Sequence, residues 1–312
     1  IEYHNNVERK HLRRLAHQIS DQIYQKLTHT KGAFDTLIAY VQVKNNSDKN
    51  KRVYTLSVAD SDGYNEQLIL KSKKPIMSPS WSPDGQHLAY VSFEKNRSII
   101  YSQELKSGKR RIVAQYKGIN SAPAWSPDGK RLAMTLSKDG NPEIYILSLL
   151  NGQLQRITKH YGIDTEASWA PDGKSLVFTS DRAGQAQIYQ IAVNRQGASG
   201  RAKRLSYKGD YNAGASFSPD GGSLVLINRD QGRYHAALLD ISSQQLQLLT
   251  HSRLDESPTF APNGKMILYA TELNGQGILE AVAIDGSLAP QRLRVLGGDV
   301  REPAWSPYRN KK

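Results

Sequence analysis

The sequence predicts an all-β protein, a six-bladed β-propeller preceded by a short α-helix. A Trp-Ser-Pro-Asp-Gly motif, intact or lightly altered, recurs at residues 81–85, 125–129, 169–173, 217–221, 260–264 and 305–308. The aromatic residues stand 43 to 48 positions apart, a period typical of propeller blades rather than helical solenoids. Four short strand patterns can be assigned to each repeat, and six repeats of four strands make a six-bladed ring.

The repeated motif predicts a tight turn between two strands. Proline fixes the backbone at the first corner, Asp or Asn suits the second, and Gly takes the left-handed conformation that completes the turn. The aromatic residue ends the incoming strand and is expected to pack between neighbouring blades. These residues need no chemistry to explain them, so the motif indicates a structural role.

Residues 4–29 are predicted to form one amphipathic helix. Asn5 or Asn6 can cap its start, and Gly32 can close its end. Its apolar positions recur at three- and four-residue steps: Leu12, Leu15, Ile19, Ile23 and Leu27. Such a helix needs a surface to lie on. We expect it to pack on the flank of the propeller or to belong to a further domain.

The first and last repeats are incomplete in complementary ways. Residues 34–72 contain three strand patterns, at 37–43, 52–58 and 67–71, with no motif before them. The last motif has one incoming strand, residues 299–306, and no strand after it. We expect that last strand to become the innermost strand of the first blade, which closes the ring and leaves no open sheet edge. The predicted domain is therefore 34–312, with residues 1–33 outside it.

The innermost strand of each blade is predicted from the size of its residues. The two positions before each aromatic residue hold only small residues or proline, as in Pro123 and Ala124 of the third blade. Small residues are expected where six strands converge on an axis with little room.

Composition excludes several classes of function. The net charge is +13, from 42 Lys and Arg against 29 Asp and Glu, but the bases are scattered and form no stripe typical of nucleic-acid binding. The absence of cysteine excludes disulfides and thiolate metal sites. No apolar run approaches the eighteen or so residues of a membrane span.

A ring of polar residues is predicted at the channel mouth opposite the motif turns. Five positions before the aromatic residues, four of six repeats carry Asp or Asn: Asn120, Asp164, Asn212 and Asp255. The polar residues beside this ring are Thr165, Glu166, Glu256, Arg301 and Glu302. Asp and Asn can simply satisfy the backbone of a loop. The functional alternative is a polar, partly acidic funnel that receives a loop or basic residues of a partner.

Enzyme signatures are weak. The sequence lacks the common nucleophile, zinc, phosphate and dinucleotide motifs, and its eight histidines suggest no ligand set. Two enzyme classes stay open as alternatives to a binding protein. One is the propeller of a prolyl-oligopeptidase-like peptidase, and the other is a metal-dependent propeller that processes sugars or lactones.

Several segments that occur only once resemble the TolB family. They are Lys26–Thr28, Lys31–Phe34, Ile38–Val41, Asp62–Asn65, Met77–Pro79, Leu254–Pro258 and Pro303–Tyr308. Together they span about residues 20–308, whereas the repeated motif alone is shared with other propellers.

The resemblance implies a periplasmic protein of a Gram-negative bacterium that belongs to the Tol-Pal system of the cell envelope. Proteins of this family are not enzymes, and no cofactor or metal-binding residue is predicted for this chain. Their propeller binds the peptidoglycan-associated lipoprotein Pal, and some bacteriocins use the same face. The implied role is support of outer-membrane integrity and of constriction during division. The chain is then expected to be monomeric by itself and peripheral to the outer membrane through Pal, with no nucleic-acid partner.

The resemblance also implies which residues contact Pal. The family's binding surface surrounds the channel mouth, and its motifs match Ile119, Asn120 and Ala122 here. They also match Asp164, Thr165 and Glu166, with Asp255 and Glu256 as neighbours and Asn212 at the equivalent position of the ring.

One departure concerns the amino-terminal part. The family carries an α/β domain before the propeller, and residues 1–33 are similar only to its last helix. The family's contact with TolA is therefore not carried over to this chain.

Overall fold

The computed structural model describes residues 11–44, 52–194, 196–295 and 297–309, and it confirms the predicted six-bladed propeller. Each blade is an antiparallel sheet of four strands. Within these ranges one helix, α1 (Leu12–Thr28), precedes the propeller. It is too short and too polar to cross a membrane.

The strands fall into six blades, and the innermost strand of a blade is named first below. Blade 1 consists of β24 (Asp299–Trp305), β1 (Leu37–Lys44), β2 (Val53–Asp60) and β3 (Gln67–Ser72). Blade 2 consists of β4 (Ile76–Trp81), β5 (His87–Ser92), β6 (Ile99–Glu104) and β7 (Arg110–Ala114). Blade 3 consists of β8 (Asn120–Trp125), β9 (Arg131–Leu136), β10 (Glu143–Ser148) and β11 (Leu154–Arg156). Blade 4 consists of β12 (Asp164–Trp169), β13 (Ser175–Ser180), β14 (Gln187–Asn194) and β15 (Gly197–Arg204). Blade 5 consists of β16 (Tyr211–Phe217), β17 (Ser223–Asp230), β18 (Arg233–Asp240) and β19 (Leu246–Leu248). Blade 6 consists of β20 (Asp255–Phe260), β21 (Met266–Leu273), β22 (Gln276–Ala283) and β23 (Gln291–Arg292).

The hydrophobic core lies between adjacent blades. The second and third strands of a blade are buried on both faces, so they carry continuous apolar runs instead of alternating ones. The motif aromatics extend the same packing toward the axis. Trp169 packs into the core shared with blade 3, and its Nε1 donates to the Ala124 carbonyl at 3.1 Å. Trp81 Nε1 likewise donates to the Ala304 carbonyl at 3.0 Å.

The motif turns have the geometry that their residues predict. In the third blade, the Gly129 N–H donates to the Ser126 carbonyl at 2.8 Å, and Gly129 is left-handed with a φ of 68°. Asp128 Oδ1 accepts the Ser126 hydroxyl at 2.5 Å and the Lys130 N–H at 3.1 Å. The Ser and Asp side chains therefore replace the backbone partners that the turn removes.

Strand β24 pairs with β1, so the first and last parts of the propeller share one sheet. The register places Ile38 opposite Trp305 and Val41 opposite Arg301. Beyond the strand, the Ser306 N–H donates to the Leu37 carbonyl at 2.8 Å, and the Leu37 N–H donates to the Ser306 hydroxyl at 2.8 Å. Closure in this way completes blade 1 as a four-stranded sheet like the other five.

Helix α1 docks through its polar face, which the sequence did not suggest. Leu12, Ile23 and Leu27 of the apolar face stay exposed. The opposite face meets three aspartates of blade 1. Six charged side chains come together there, and we call them the seam cluster. Its members are Arg13 and Arg14 of α1, Asp35, Asp60 and Asp62 of blade 1, and Arg309 beyond β24.

The end of α1 corrects a second expectation. His29, not Gly32, closes the helix, because His29 adopts the left-handed conformation and its N–H donates to the Gln25 carbonyl at 3.0 Å. Gly32 serves a close approach instead, since a Cβ there would lie 2.4 Å from Asp21 Oδ1. Asp21 accepts the N–H groups of Phe34 and Asp35, which ties the chain after the helix back to it.

One expectation lies outside the described residues, because the predicted start of the helix, with its cap at Asn5 or Asn6, falls in 1–10.

Candidate functional site

The six innermost strands share one irregularity near the channel mouth. Each contains a bulge, where the pairing register with the second strand shifts by one residue. Three positions before each motif aromatic, the residue at the bulge has a positive φ, between 47° and 62°. These residues are Ser78, Ala122, Glu166, Gly214, Ser257 and Glu302. Five of the six are not glycine, and left-handed backbone of that kind often marks a functional site.

The bulges surround an open cavity of about 770 Å³ on the propeller axis. All six innermost strands contribute lining residues to it. The cavity extends along these strands from the bulges to the motif prolines Pro83, Pro127 and Pro307. We call the end of the channel opposite the motif turns, where the innermost strands begin, the channel mouth. The loops that enter the innermost strands form the rim of this mouth.

The ring of Asp and Asn predicted from the sequence is buried, which corrects the expectation that these side chains line the channel. Asn120, Asp164, Asn212 and Asp255 are each 0 to 2% exposed. Only Asp255 borders the cavity. The remaining two members of the ring, Ile76 and Val300, are equally buried. The side chain five positions before each motif aromatic is therefore packed inside the protein.

Asn120 and Asn212 organise the loops that lead into their strands. The Asn120 amide donates to the Tyr116 carbonyl at 2.8 Å and accepts the Tyr116 N–H at 2.8 Å. Asn212 Nδ2 donates to the Lys208 carbonyl at 3.0 Å and to Gln187 Oε1 at 2.9 Å. These bonds support the structural alternative that the sequence left open for this ring.

Asp164 and Asp255 are held inside the protein as well. Asp164 Oδ2 accepts Arg182 Nη2 at 2.7 Å. Asp255 accepts the hydroxyls of Thr250 and Ser252 on the preceding loop. Both carboxylates therefore hold residues of the rim loops in place through buried or partly buried contacts.

The neighbouring positions are the accessible ones. Ile119 is exposed at the rim, while Ala122 and Glu256 line the cavity. Glu166 is exposed to the channel. Thr165 is half-buried, with its hydroxyl 3.3 Å from that of Thr135 in the adjacent blade.

Three carboxylates in the cavity are bound by neutral donors. We call Glu166, Glu256 and Glu302 the channel carboxylates. Glu166 Oε2 accepts the Gly214 N–H at 3.1 Å and the Thr179 hydroxyl at 3.0 Å. Glu302 accepts the Ser78 N–H, and Glu256 accepts the Glu302 N–H. Each carboxylate thus reaches the bulge of another blade.

Burial makes two of the channel carboxylates, Glu256 and Glu302, harder to ionise. Burial, together with the charges of Glu256 and Glu166, raises the pKa of Glu302 to about 7, and the hydrogen bond from Ser78 opposes this shift. Burial also raises the pKa of Glu256, although the nearby charge of Arg301 acts in the other direction. Near neutral pH, Glu302 is therefore about half protonated.

Glu302 was expected beside the polar ring but was not assigned to partner binding. It stands three positions before Trp305, the register that Glu166 occupies before Trp169. Comparing repeats at that position groups Glu302 with Glu166.

The rim around the cavity combines exposed apolar and basic side chains. We call this surface the collar. Its apolar members are Met77, Ile119, Tyr161, Ile163, Tyr207 and Leu254. Its basic members are Lys74, Lys117, Lys159, Lys208 and Arg253. Tyr161 is 86% exposed, and its ring contacts that of His160 with centroids 4.1 Å apart. Exposed apolar residues grouped at one end of a protein are typical of an interaction surface.

No group of three or more His, Asp or Glu side chains suited to a metal occurs within the described ranges. The fold and this mouth define a class of protein, a six-bladed propeller whose open channel end presents a polar cavity inside an apolar and basic collar.

Sequence comparison identifies the family. Residues 24–309 match the model of the TolB β-propeller domain. The Tol-Pal system protein TolB of Hydrogenovibrio crunogenus is 60% identical over 304 residues, covering 97% of this chain and 68% of that protein. The corresponding protein of Xanthomonas campestris pv. campestris is 58% identical over 300 residues, covering 96% and 67%. The chain belongs to the TolB family, and the resemblance seen in the sequence is confirmed.

Structure comparison agrees. The crystal structure of TolB from Acinetobacter baumannii superposes with a TM-score of 0.89 at 44% identity, over 97% of this chain and 74% of that one.

Proposed function

We propose that this chain is a periplasmic, non-enzymatic scaffold of the Tol-Pal system that binds the lipoprotein Pal at the channel mouth. Through Pal it supports outer-membrane integrity and constriction during division. Bacteriocins that use the propeller compete with Pal for the same surface. Family membership supports this role over the peptidase and metal-enzyme alternatives, because its curated relatives are Tol-Pal system proteins.

The collar is the observation that carries the proposal. Ile119, Tyr161 and Leu254 are exposed on three different loops that enter innermost strands, and partly buried hydrogen bonds hold those loops in place. For instance, Asn141 Nδ2 donates to the carbonyls of both His160 and Gly162, which fixes the loop that carries Tyr161. Aromatic and aliphatic groups held rigidly are efficient binding residues, since little conformational freedom is lost when a partner covers them.

The test is calorimetric titration of the chain with the soluble domain of Pal from the same organism. We expect the wild type to bind, and Ile119→Ala combined with Tyr161→Ala to weaken binding by about 2 kcal/mol or more. The buried Asp164 is unsuitable for this purpose, because its removal would leave Arg182 without its partner.

The matched control is Leu150→Ala. Leu150 is 78% exposed, but it lies in the β10–β11 turn, at the end of the propeller that carries the motif turns. Its removal should leave Pal binding unchanged. Equal affinity of the rim variant and the wild type would exclude the collar as the binding surface. No binding by the wild type would exclude Pal as a partner of this chain.

A further inference from the structure

At the channel mouth, acidic groups line the central cavity and basic groups lie on the collar around it. This arrangement constrains the surface that can dock there. The ionisable groups that line the cavity are Glu166 on β12, Tyr211 on β16, Tyr234 on β18, Asp255 and Glu256 on β20, and Glu302 on β24. Strands β4 and β8 contribute no ionisable group. Among the described residues, no Lys, Arg or His lines the cavity. Arg301, outside the lining, is the cation whose charge acts on Glu256.

The lack of cations in the cavity contrasts with the rest of the chain. Elsewhere, buried carboxylates have a bound guanidinium, as in Glu143 with Arg156 at 3.0 Å and Asp164 with Arg182 at 2.7 Å. The channel carboxylates form no ion pair within the described ranges, although the chain has 42 Lys and Arg residues. Carboxylates left without a counter-charge destabilise the fold, so a complementary partner has free energy to gain there.

The collar has the opposite polarity. Lys117, Lys159 and Lys208 each lie on a loop that enters an innermost strand, and each is exposed. Within the part of the chain that the structure describes, none of the three side chains makes an ion pair or a hydrogen bond. Ile119, Tyr161 and Tyr207 stand beside them. A docking surface must therefore match a negative centre, apolar groups around it and positive charge outside.

We infer that the partner that binds this mouth inserts a lysine or arginine side chain between the channel carboxylates and surrounds it with apolar and acidic residues that meet the collar. This inference rests on the proposed function and specifies the chemistry of the partner surface. The cavity, about 770 Å³ and open at the mouth, has room for a long side chain together with part of its loop. Charge complementarity of this kind fixes the orientation of the partner and raises its association rate.

A cation in the cavity must displace a proton. Glu302 is about half protonated at neutral pH in the free chain, because its pKa is about 7. A bound ammonium or guanidinium group favours the ionised carboxylate and lowers that pKa. Binding then releases a proton, so affinity rises as the pH rises. If the bound carboxylate stays ionised throughout, affinity should be about tenfold higher at pH 8 than at pH 6.

The experiment is titration of the chain with the soluble Pal domain at pH 6, 7 and 8, in wild type and in Glu302→Gln. Glutamine keeps the oxygen that accepts the Ser78 N–H, so the variant is expected to fold. The wild type should show the tenfold rise in affinity, and the variant should lose most of it. Glu272→Gln, which neutralises an exposed carboxylate at the end of β21 outside the cavity, should keep the wild-type dependence.

A second pair of variants tests the collar. Lys117→Glu combined with Lys159→Glu should slow association by about tenfold at low salt and reduce the effect of added salt on the association rate.

The outcomes separate the two proposals. Binding by the wild type with an affinity that is constant or falls as the pH rises, or with the same pH dependence in Glu302→Gln, would overturn the inserted cation while the scaffold role stands. Faster association after reversal of the collar charges would overturn the acidic surround. No binding of Pal by the wild type would overturn the proposed function and the inference together.

Discussion

Two groups of carboxylates, at opposite ends of the propeller, differ in how their charge is balanced. In the seam cluster, Asp60 accepts Arg13 Nε at 3.2 Å and Arg309 Nη2 at 3.3 Å. The channel carboxylates accept only backbone N–H and hydroxyl groups. The seam cluster joins the helix, the first blade and the end of the chain, so balance there serves the fold. Imbalance at the channel mouth instead fits the binding site proposed there.

The largest effect is expected from breaking the balance at the seam. Asp60→Ala leaves Arg13 and Arg309 without this carboxylate, and Asp60 is only 5% exposed. We expect the free energy of unfolding to fall by about 3 kcal/mol, the lower end of the range for a broken buried pair, because both arginines can reach water. Urea denaturation at pH 7 measures it.

The control for this change is Asp62→Ala. Asp62 also pairs with Arg13, but its side chain is 42% exposed. Solvent weakens such a pair, so the expected loss is about 0.5 kcal/mol. Equal losses for the two variants would show that burial does not decide the value of these contacts.

The second effect concerns Glu302 in the channel. Here the ionised carboxylate is expected to destabilise the fold, whereas at the seam it stabilises the fold. The pKa of Glu302, about 7, lies above the ordinary value of 4.5 that applies to the unfolded chain. Its contribution to stability is therefore complete below pH 4.5 and is lost as the pH rises through 7. We expect the free energy of unfolding of the wild type to fall by about 2 kcal/mol between pH 5 and pH 8, after allowance for solvent screening.

Glu302→Gln should remove most of that fall, as measured by urea denaturation at both pH values. Glu272→Gln is the control and should keep the wild-type slope, since Glu272 is exposed outside the cavity. If the free energy of unfolding depended on pH equally in the wild type and in Glu302→Gln, the channel would not raise the pKa of this carboxylate.

The difference between the two ends also explains what the sequence could predict. Turn residues at fixed spacing specify the blades locally, so the repeat predicts the architecture and the position of the channel mouth. Which face of α1 packs could not be predicted, because an apolar stripe usually docks, and here Asp35, Asp60 and Asp62 attract the polar face instead.

The site was predicted less well than the fold. Asp and Asn before a strand are compatible with both a buried loop contact and an exposed ligand, and Asn120 and Asp164 adopt the former. The left-handed bulges also could not be predicted from the sequence. Ala122 and Ser78 have no preference for that conformation, and the ring of neighbouring strands imposes it.

The smallest effect is expected from giving the channel the balance that the seam already has. Met77 lines the cavity beside Ser78, four positions before its motif aromatic, where blade 1 carries Arg301. Met77→Arg should lower the pKa of Glu302 and raise the free energy of unfolding at pH 8 by about 1 kcal/mol, measured by urea denaturation. Met77→Gln introduces a polar but uncharged side chain of about the same length as Met77, and it should have neither effect. Because the new guanidinium occupies the place of the partner's cation, Met77→Arg should also weaken Pal binding while it stabilises the fold. A variant that gained stability and kept its affinity would show that the channel charge is not reserved for a partner.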